Sequence, residues 1–441
     1  MNSLIPLVIT ILSQIEKGKS IRVELRRIIS EYKLNREEES ILYSLVFEIF
    51  RKLNVIDLYI KKSSSSFSIK KISSKNRALL RIATYLLKVD NKQLKYVKEN
   101  LDPHYENIKE LGFDEILKLI QEIKEEELYE NRVDLASKLS IEFFTPTWIV
   151  RKFINQWDEN FATELVSTFI QNLPVYVRVN PFKSNIEEIT TNFRSKNIAF
   201  ETVKEIDGLI KITESETPVP QYDEFKDGKI VIQQKASALV SLVLNPQKGE
   251  KILDMCASPG GKTSHLAAML GDGRNIEAVD ISEERMKILK ERLKLLGITS
   301  VTTTQADART LYNQTRKEYD KILLDPPCSG SGTYSSRPEI KWRVKQRDLR
   351  WYINLQRDLL NEASKLVKKE GTIVYSTCSL YREENHEILS SFLERNSNFS
   401  LAEATPMLGL PSQLLQNKAQ ELYPHIHETE GFFIAKVKRN S

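Results

Sequence analysis

Asp254-Met-Cys-Ala-Ser-Pro-Gly-Gly-Lys-Thr263 is the stretch whose reading decides the fold. Lys251-Ile-Leu253 before it is a short apolar run, read as a buried strand, and Ser264 to Leu270 after it reads as the opening of a helix. A strand, a tight loop carrying Gly260 and Gly261, and a helix N-terminus build one wall of a crevice at the carboxyl edge of a parallel sheet. Glycine lets the backbone approach a ligand, and the first helical amides have no partner within the helix. A phosphate-binding P-loop also ends in Gly-Lys-Thr, but it needs a glycine where Cys256 stands. On this stretch alone the competing reading is an ordinary strand-to-helix turn with no ligand.

The chain on either side narrows the choice. Asn275 to Asp280 is a second strand that ends in an acid, about 20 residues past the glycines, where a Rossmann-like fold places a carboxylate for ribose hydroxyls. Ser282 can cap the helix Glu283 to Leu296, which stops at Gly297. Val301 to Thr304 is a third strand, followed by Asp307. No G-x-G-x-x-G occurs here, and acids after consecutive strands suit an adenosine-type ligand better than a dinucleotide. A fourth strand, Tyr319 to Asp325, delivers Asp325-Pro-Pro-Cys328 and the loop Ser329-Gly-Ser-Gly332 to the same rim. A fifth, Thr372 to Ser376, delivers Thr377-Cys378-Ser379. Neighbouring strands of one parallel sheet thus present two thiols at one crevice.

The 441 residues suffice for two or three domains. Hydrophobic content of 41% and charged content of 28% are those of a globular protein, and the net charge of +5 is compatible with a nucleic-acid partner. Cys256, Cys328 and Cys378 make no disulfide framework, and no C-x-x-C spacing offers a metal site. The apolar run in Met1 to Gln14 has no basic leader and reads as a helix, and no stretch is long and charge-free enough to span a membrane. A reducing, cytoplasmic setting and a monomer are expected.

Residues 1 to about 135 read as helical. Leu4, Val8, Ile9, Leu12 and Ile15 share one helical face, as do Ile41, Leu42, Leu45, Val46, Ile49 and Phe50, with Asn35 as a cap. Ser63 to Ser68 reads as a loop. From Lys61 to Val89 stand Lys61, Lys62, Lys70, Lys71, Lys75, Arg77, Arg81 and Lys88 with no acid among them, either a solvated face or a phosphate-contacting patch. After a linking helix and the turn Thr145-Pro-Thr147, residues 174 to about 230 read as a small α+β insert: a strand at Pro174 to Pro181, a helix at Asn185 to Lys196, and strands at Ala199 to Val203 and Leu209 to Ile212.

Two thiols beside an acid suit covalent chemistry on a cytosine ring. C5 of cytosine is a poor nucleophile, and a thiolate adding to C6 makes it enamine-like. An acid must serve N3 as charge develops, and Asp325 is placed for this, with a low-dielectric pocket favouring its transient protonation. A second sulfur can assist release. Spacing does not rank the two thiols.

Asp254 to Thr263, Leu324-Asp-Pro-Pro-Cys-Ser-Gly-Ser-Gly332, Arg337-Pro-Glu-Ile-Lys-Trp342, Tyr375-Ser-Thr-Cys-Ser379 and His427-Glu-Thr-Glu-Gly-Phe-Phe433 together resemble the RsmB/NOP2/NSUN family of RNA (cytosine-C5) methyltransferases. The resemblance covers roughly residues 145 to 438. Leu45 to Arg51 and Asn76 to Leu86 are similar to the NusB-like domain of its rRNA-methylating branch, which favours rRNA over tRNA as the partner. The resemblance implies an α/β fold: a Rossmann-like class I methyltransferase domain over 241–441, preceded by a linker helix and small α+β RNA-facing subdomain over 136–240 and an all-α NusB-like RNA-binding domain over 1–135. It implies S-adenosyl-L-methionine as cofactor, held by Cys256, Ala257, Ser258, Pro259, Gly260, Gly261 and Lys262 with Asp280, Asp307 and Asp325. It makes Cys378 the nucleophile and Cys328 the release cysteine. Asp325 and Lys262 complete the catalytic candidates.

Overall fold

The computed structural model describes residues 4–63, 68–101, 112–130 and 132–441. The chain forms two compact units, one of residues 1–171 with 334–346, the other of 172–333 with 347–441.

The first unit is helical. Its helices include Ile5–Glu16, Ile21–Tyr32, Arg36–Arg51, Leu53–Ser63, Ser74–Lys88 and Phe113–Glu122, and their apolar faces meet in one core around Ile11, Ile49, Ile56 and Ile82. Asn35 caps as expected: its side chain accepts from Glu38 N while Glu38 closes the box on Asn35 N. Helices run on past residue 135, over Leu135–Glu142, Thr147–Gln156 and Glu159–Ser167. Part of the expected serine loop, residues 64–67, lies outside the described residues. The segment 334–346 belongs to this unit: Trp342 Nε1 donates to Phe50 O at 2.6 Å, Lys341 Nζ to Phe144 O at 2.9 Å, and Tyr334 packs edge-on against Phe169. Burial of Lys341 lowers its pKa to about 7. The stretch after the Cys328 loop is therefore built into the helical unit.

The basic run divides in two. Arg81 pairs with Asp57 at 2.7 Å and with Glu16, Arg77 pairs with Glu16 at 2.8 Å, and Lys62 with Glu130 at 2.6 Å. Lys88 donates to the carbonyls of Gln121 and Ile123. These cations are taken up by partners far away in sequence. Lys61, Lys70, Lys71 and Lys75 are exposed and make no ion pair among the described residues.

The second unit holds two sheets. β1 (Val175–Val179), β2 (Ala199–Thr202), β3 (Leu209–Glu214) and β4 (Ile230–Ile232) form an antiparallel sheet in the order β2-β3-β1-β4, with the helix Ile186–Ser195 capped by Asn185. β4 went unread in the sequence because it has three residues. The larger sheet contains β5 (Ile252–Asp254), β6 (Ile276–Asp280), β7 (Thr302–Gln305), β8 (Tyr319–Leu324), β9 (Val367–Thr377), β10 (Phe399–Ala402), β11 (Leu410–Pro411), β12 (Gln420–Leu422) and β13 (Phe432–Arg439). Its order is β11-β12-β13-β9-β8-β5-β6-β7, with β10 also on β13. β5 to β9 are parallel, whereas β13 runs antiparallel to β9. β5 and β8 are apolar because helices cover both faces. The chain winds outward from β5 to β7, then returns to β8 on the other side of β5. That reversal opens a crevice at the carboxyl ends of β5 and β8, where doubly wound sheets bind ligands.

Candidate active site

The glycine loop leaves β5 through Asp254. This carboxyl is buried, which raises its pKa to about 7, although Thr263 Oγ1 donates to it at 2.7 Å. Cys256 follows, and burial pushes its thiol up, away from reactivity. Ala257 N donates to Val279 O at 2.9 Å, which ties the loop to β6. Ser258 N donates to Asp280 Oδ2 at 3.2 Å, and Pro259 is exposed. Gly260 has φ +94°, and a Cβ there would stand 2.6 Å from Leu289 Cδ1. Its positive φ and the close approach of the helix Glu283–Leu295 both call for glycine. Gly261 differs: a Cβ there would meet nothing closer than 4.0 Å. Open space at the first helical residue is where a cofactor can approach the backbone.

Acids line the carboxyl ends of successive strands. Asp280 is 2% exposed, and its two oxygens accept from Ser258 N and Ser282 N. Oδ1 retains acceptor capacity for a hydroxyl. Arg285, which the sequence reading missed, approaches Asp280 at 3.3 Å and donates to Ser258 O at 2.6 Å. Its only signal was its place in the first turn of a helix after an acid-tipped strand. Asp307, just past β7, is paired with Arg309 at 2.6 Å, and this holds its carboxyl below the ordinary range. A row of acceptors beside an open glycine fits a ligand carrying ribose hydroxyls and amino groups.

The reactive groups gather at the β8 and β9 ends. Lys262 Nζ donates to Asp325 Oδ2 at 2.6 Å across the reversal point, and Ser376 Oγ donates to Asp325 Oδ1 at 2.9 Å. Burial acts to lower the Lys262 pKa, but the Asp325 carboxylate overcomes it and the net shift is upward. The ammonium also lies 5.1 Å from the centre of the Phe432 ring. Ser376 and Phe432 stood in quoted motifs, but no spacing rule marked them as site residues. Cys328 Sγ and Cys378 Sγ are 3.1 Å apart, both partly accessible. The contact with Cys378, together with burial, raises the Cys328 pKa well above its ordinary value. The structure thus brings Cys328, Cys378, Asp325 and Lys262 together, and leaves Asp280 and Asp307 along the adjoining rim. No group of three or more His, Cys, Asp or Glu among the described residues is arranged to hold a metal ion, and no helix is long and apolar enough to cross a membrane.

Known proteins resemble this chain along most of its length. The family model described as 16S rRNA methyltransferase RsmB/F matches residues 241–438, a ferredoxin-like domain model of RsmF/B-like methyltransferases matches 145–219, and the NusB family model matches 6–98. "Ribosomal RNA small subunit methyltransferase B" of Klebsiella pneumoniae is 28% identical over 438 residues, 97% of this chain and 96% of that protein. "Probable ribosomal RNA small subunit methyltransferase B" of a Synechocystis strain is 30% identical over 315 residues, 71% of this chain and 70% of that protein. The crystal structure of a methyltransferase homolog protein from Pyrococcus horikoshii superposes with a TM-score of 0.61 at 30% identity, covering 68% of this chain and 98% of that one. With the three family models following one another along the chain and a relative 30% identical over 71% of it, the protein belongs to the 16S rRNA methyltransferase RsmB/F family.

Proposed function

We propose that this protein is an S-adenosyl-L-methionine-dependent RNA (cytosine-C5) methyltransferase acting on ribosomal RNA. The observation that carries the reading is the pair of sulfurs 3.1 Å apart beside an acid and an ammonium, at the reversal point of the sheet. Ala257, Ser258, Gly260, Gly261 and Lys262, with Asp280 and Asp307, would hold the cofactor, Asp280 accepting from ribose hydroxyls. The cofactor supplies an electrophilic methyl group when bound.

The remaining steps belong to the chain's own side chains. Cys378 acts as the thiolate, and Cys328, 3.1 Å away, is close enough to donate a hydrogen bond to it. The Cys378 sulfur bonds to C6 of the target cytosine, and the C5=C6 electron pair shifts towards N3. Asp325 faces N3, and the proton it conveys comes from Lys262, 2.6 Å behind it. This adds a proton source to the expectation that a low-dielectric pocket favours transient protonation of Asp325. Once C5 carries the methyl group, N3 returns its proton through Asp325 to Lys262, the C5 hydrogen leaves as a proton to water, its bonding pair restores C5=C6, and the C6–S bond breaks to give back the Cys378 thiolate. Cys328 assists this release from beside the departing sulfur.

Denaturing electrophoresis with labelled RNA tests the reading. Cys378→Ala should abolish methylation and form no adduct. Cys328→Ala should leave RNA covalently attached through Cys378. An adduct that depends on Cys328 and persists without Cys378 would reverse the roles, and unchanged methylation in both variants would refute the covalent mechanism.

A further inference from the structure

Beneath the two partly accessible thiols lies a layer of buried polar groups that the reaction itself does not use. Ser329, Ser331, Gln356, Thr377, Ser379 and Glu384 are each at most 1% exposed. Glu384 stands at their centre. Its Oε1 accepts from Ser329 N at 2.9 Å and from Gln356 Nε2 at 2.8 Å. Its Oε2 accepts from Ser379 Oγ at 2.5 Å and from Ser329 Oγ. Four donors fill the four lone-pair positions of one carboxylate. Ser329 follows Cys328 directly, and Ser379 follows Cys378 directly, so one side chain grips the residue after each thiol.

The neighbours extend the grip. Gln356 Nε2 also donates to Pro327 O at 3.0 Å, so the residues on both sides of Cys328 are held. Asn385 Nδ2 donates to Ser379 O at 2.8 Å, and Asn385 Oδ1 accepts from Thr377 Oγ1 at 2.6 Å, so both sides of Cys378 are held as well. Asn385 acts on one loop, whereas Glu384 joins the two. Gln356 Oε1 is left without a partner among the described residues, but the Glu384 carboxylate is fully satisfied, and a buried carboxylate held by four donors specifies one geometry.

We infer that Glu384 is a positioning residue that fixes the separation of the two thiols, a role resting on the two-thiol reading above. Attack and release by two sulfurs on one ring require both to keep their places through the reaction. Side-chain reach is the property that matters. Glu384→Asp keeps the charge but withdraws the carboxylate by about 1.5 Å, so it cannot hold both loops. Glu384→Gln keeps the reach: its oxygen can face the two N–H donors and its amide the two hydroxyls, which rotate to accept.

Closure of the Cys328–Cys378 disulfide by diamide reports the separation without RNA or cofactor. Diamide takes up two electrons and two protons and leaves as the hydrazine, the sulfurs bond, and titratable thiols in denaturant fall from three to one. Glu384→Asp should close at least about tenfold more slowly than the unaltered protein. Glu384→Gln should close as fast as the unaltered protein or faster. Equal rates in Glu384→Asp and the unaltered protein, or a Glu384→Gln rate as slow as that of Glu384→Asp, would overturn the inference. If Glu384→Asp loses its cooperative melt, the Ser329→Ala, Ser379→Ala double variant enters the same assay with the same expected slowing. Methylation kinetics separate this inference from the reading it rests on. Slower closure with a matching fall in kcat at unchanged KM for RNA supports both. Slower closure with unchanged kcat keeps the clasp and removes the need for two placed thiols in the reaction.

Discussion

The two ends of the parallel strands make an instructive pair. At the carboxyl ends of β5, β8 and β9, narrow loops converge on two sulfurs, one carboxylate and one ammonium. At the amino ends of the same sheet lies an open cleft of about 550 Å³ lined by Lys251, Arg274, Glu277, Arg316, Lys317 and Lys368 among others. It is roomy and rich in charge, yet its buried carboxylate, Glu277, is taken up by Lys317 Nζ at 2.9 Å, Tyr319 OH at 2.8 Å and Thr304 Oγ1 at 2.8 Å. Lys368 is likewise held by Asp320 at 2.7 Å. At one end Glu277 and Lys368 are taken up by neighbouring groups; at the other the Lys262–Asp325 pair stands beside two partly accessible sulfurs. Strand direction, rather than cavity size, separates the two, because loops at the carboxyl ends converge where the winding reverses.

The comparison is broken most easily by exchanging one lysine at each end. Lys262→Met removes the ammonium paired with Asp325, the proposed proton source, and should lower kcat about 10²- to 10³-fold. Lys317→Met should leave kcat within about twofold. Because the Lys262 pKa is shifted upward, its ammonium persists above the usual lysine range. Any alkaline fall in kcat that Lys262 causes should therefore lie above about pH 10.4, the unperturbed lysine value. A full-rate Lys262→Met enzyme would remove Lys262 from the reaction.

Asp280 sharpens the same contrast. Asp280→Ala removes a buried carboxylate that a ribose can reach, a charged hydrogen bond of roughly 1.5–3 kcal/mol. S-adenosylmethionine affinity should fall at least about tenfold by calorimetric titration. Glu277→Gln, at the opposite end of the same strand, should leave it unchanged. Equal affinity in folded Asp280→Ala protein would withdraw the assignment.

Much of this was legible because βα alternation repeats a simple signal: an apolar run, then an acid or a Gly-Pro-rich turn. Strands β5 to β8 lie within about a residue of their expected places for that reason. The clasp was not legible. Glu384 sits among Arg382-Glu-Glu-Asn385, where nothing local distinguishes a buried carboxylate from a solvated one. The pairing within the basic run was equally hidden, since Glu16 and Asp57 meet Arg77 and Arg81 from far along the chain. Of Lys61, Lys70, Lys71 and Lys75, exposed and without an ion pair among the described residues, the last three lie close together in the chain and are suited to RNA phosphates. Changing the three together to Ser should reduce the slope of log affinity against log salt by about 2 for single-stranded RNA. An unchanged slope would leave them as a solvated face.

The smallest expected effect belongs to the far cleft and concerns stability alone. Burial by itself would raise the Glu277 pKa, but hydrogen bonds from Lys317, Thr304 and Tyr319 outweigh it and the net shift is downward. A depressed carboxyl contributes stability that is fully present above its unfolded value, near 4.3, and is lost as pH falls through the folded value. Glu277→Gln should therefore lower unfolding stability by about 1 kcal/mol at neutral pH, a modest figure because water screens the Lys317 end. The gap between the two proteins should narrow below about pH 4.3 as the native carboxylate takes up its proton. Urea unfolding at pH 7 and pH 3.5 measures both values. A gap that widened in acid would mean that Glu277 is held protonated, and that the far end carries a titrating group of its own.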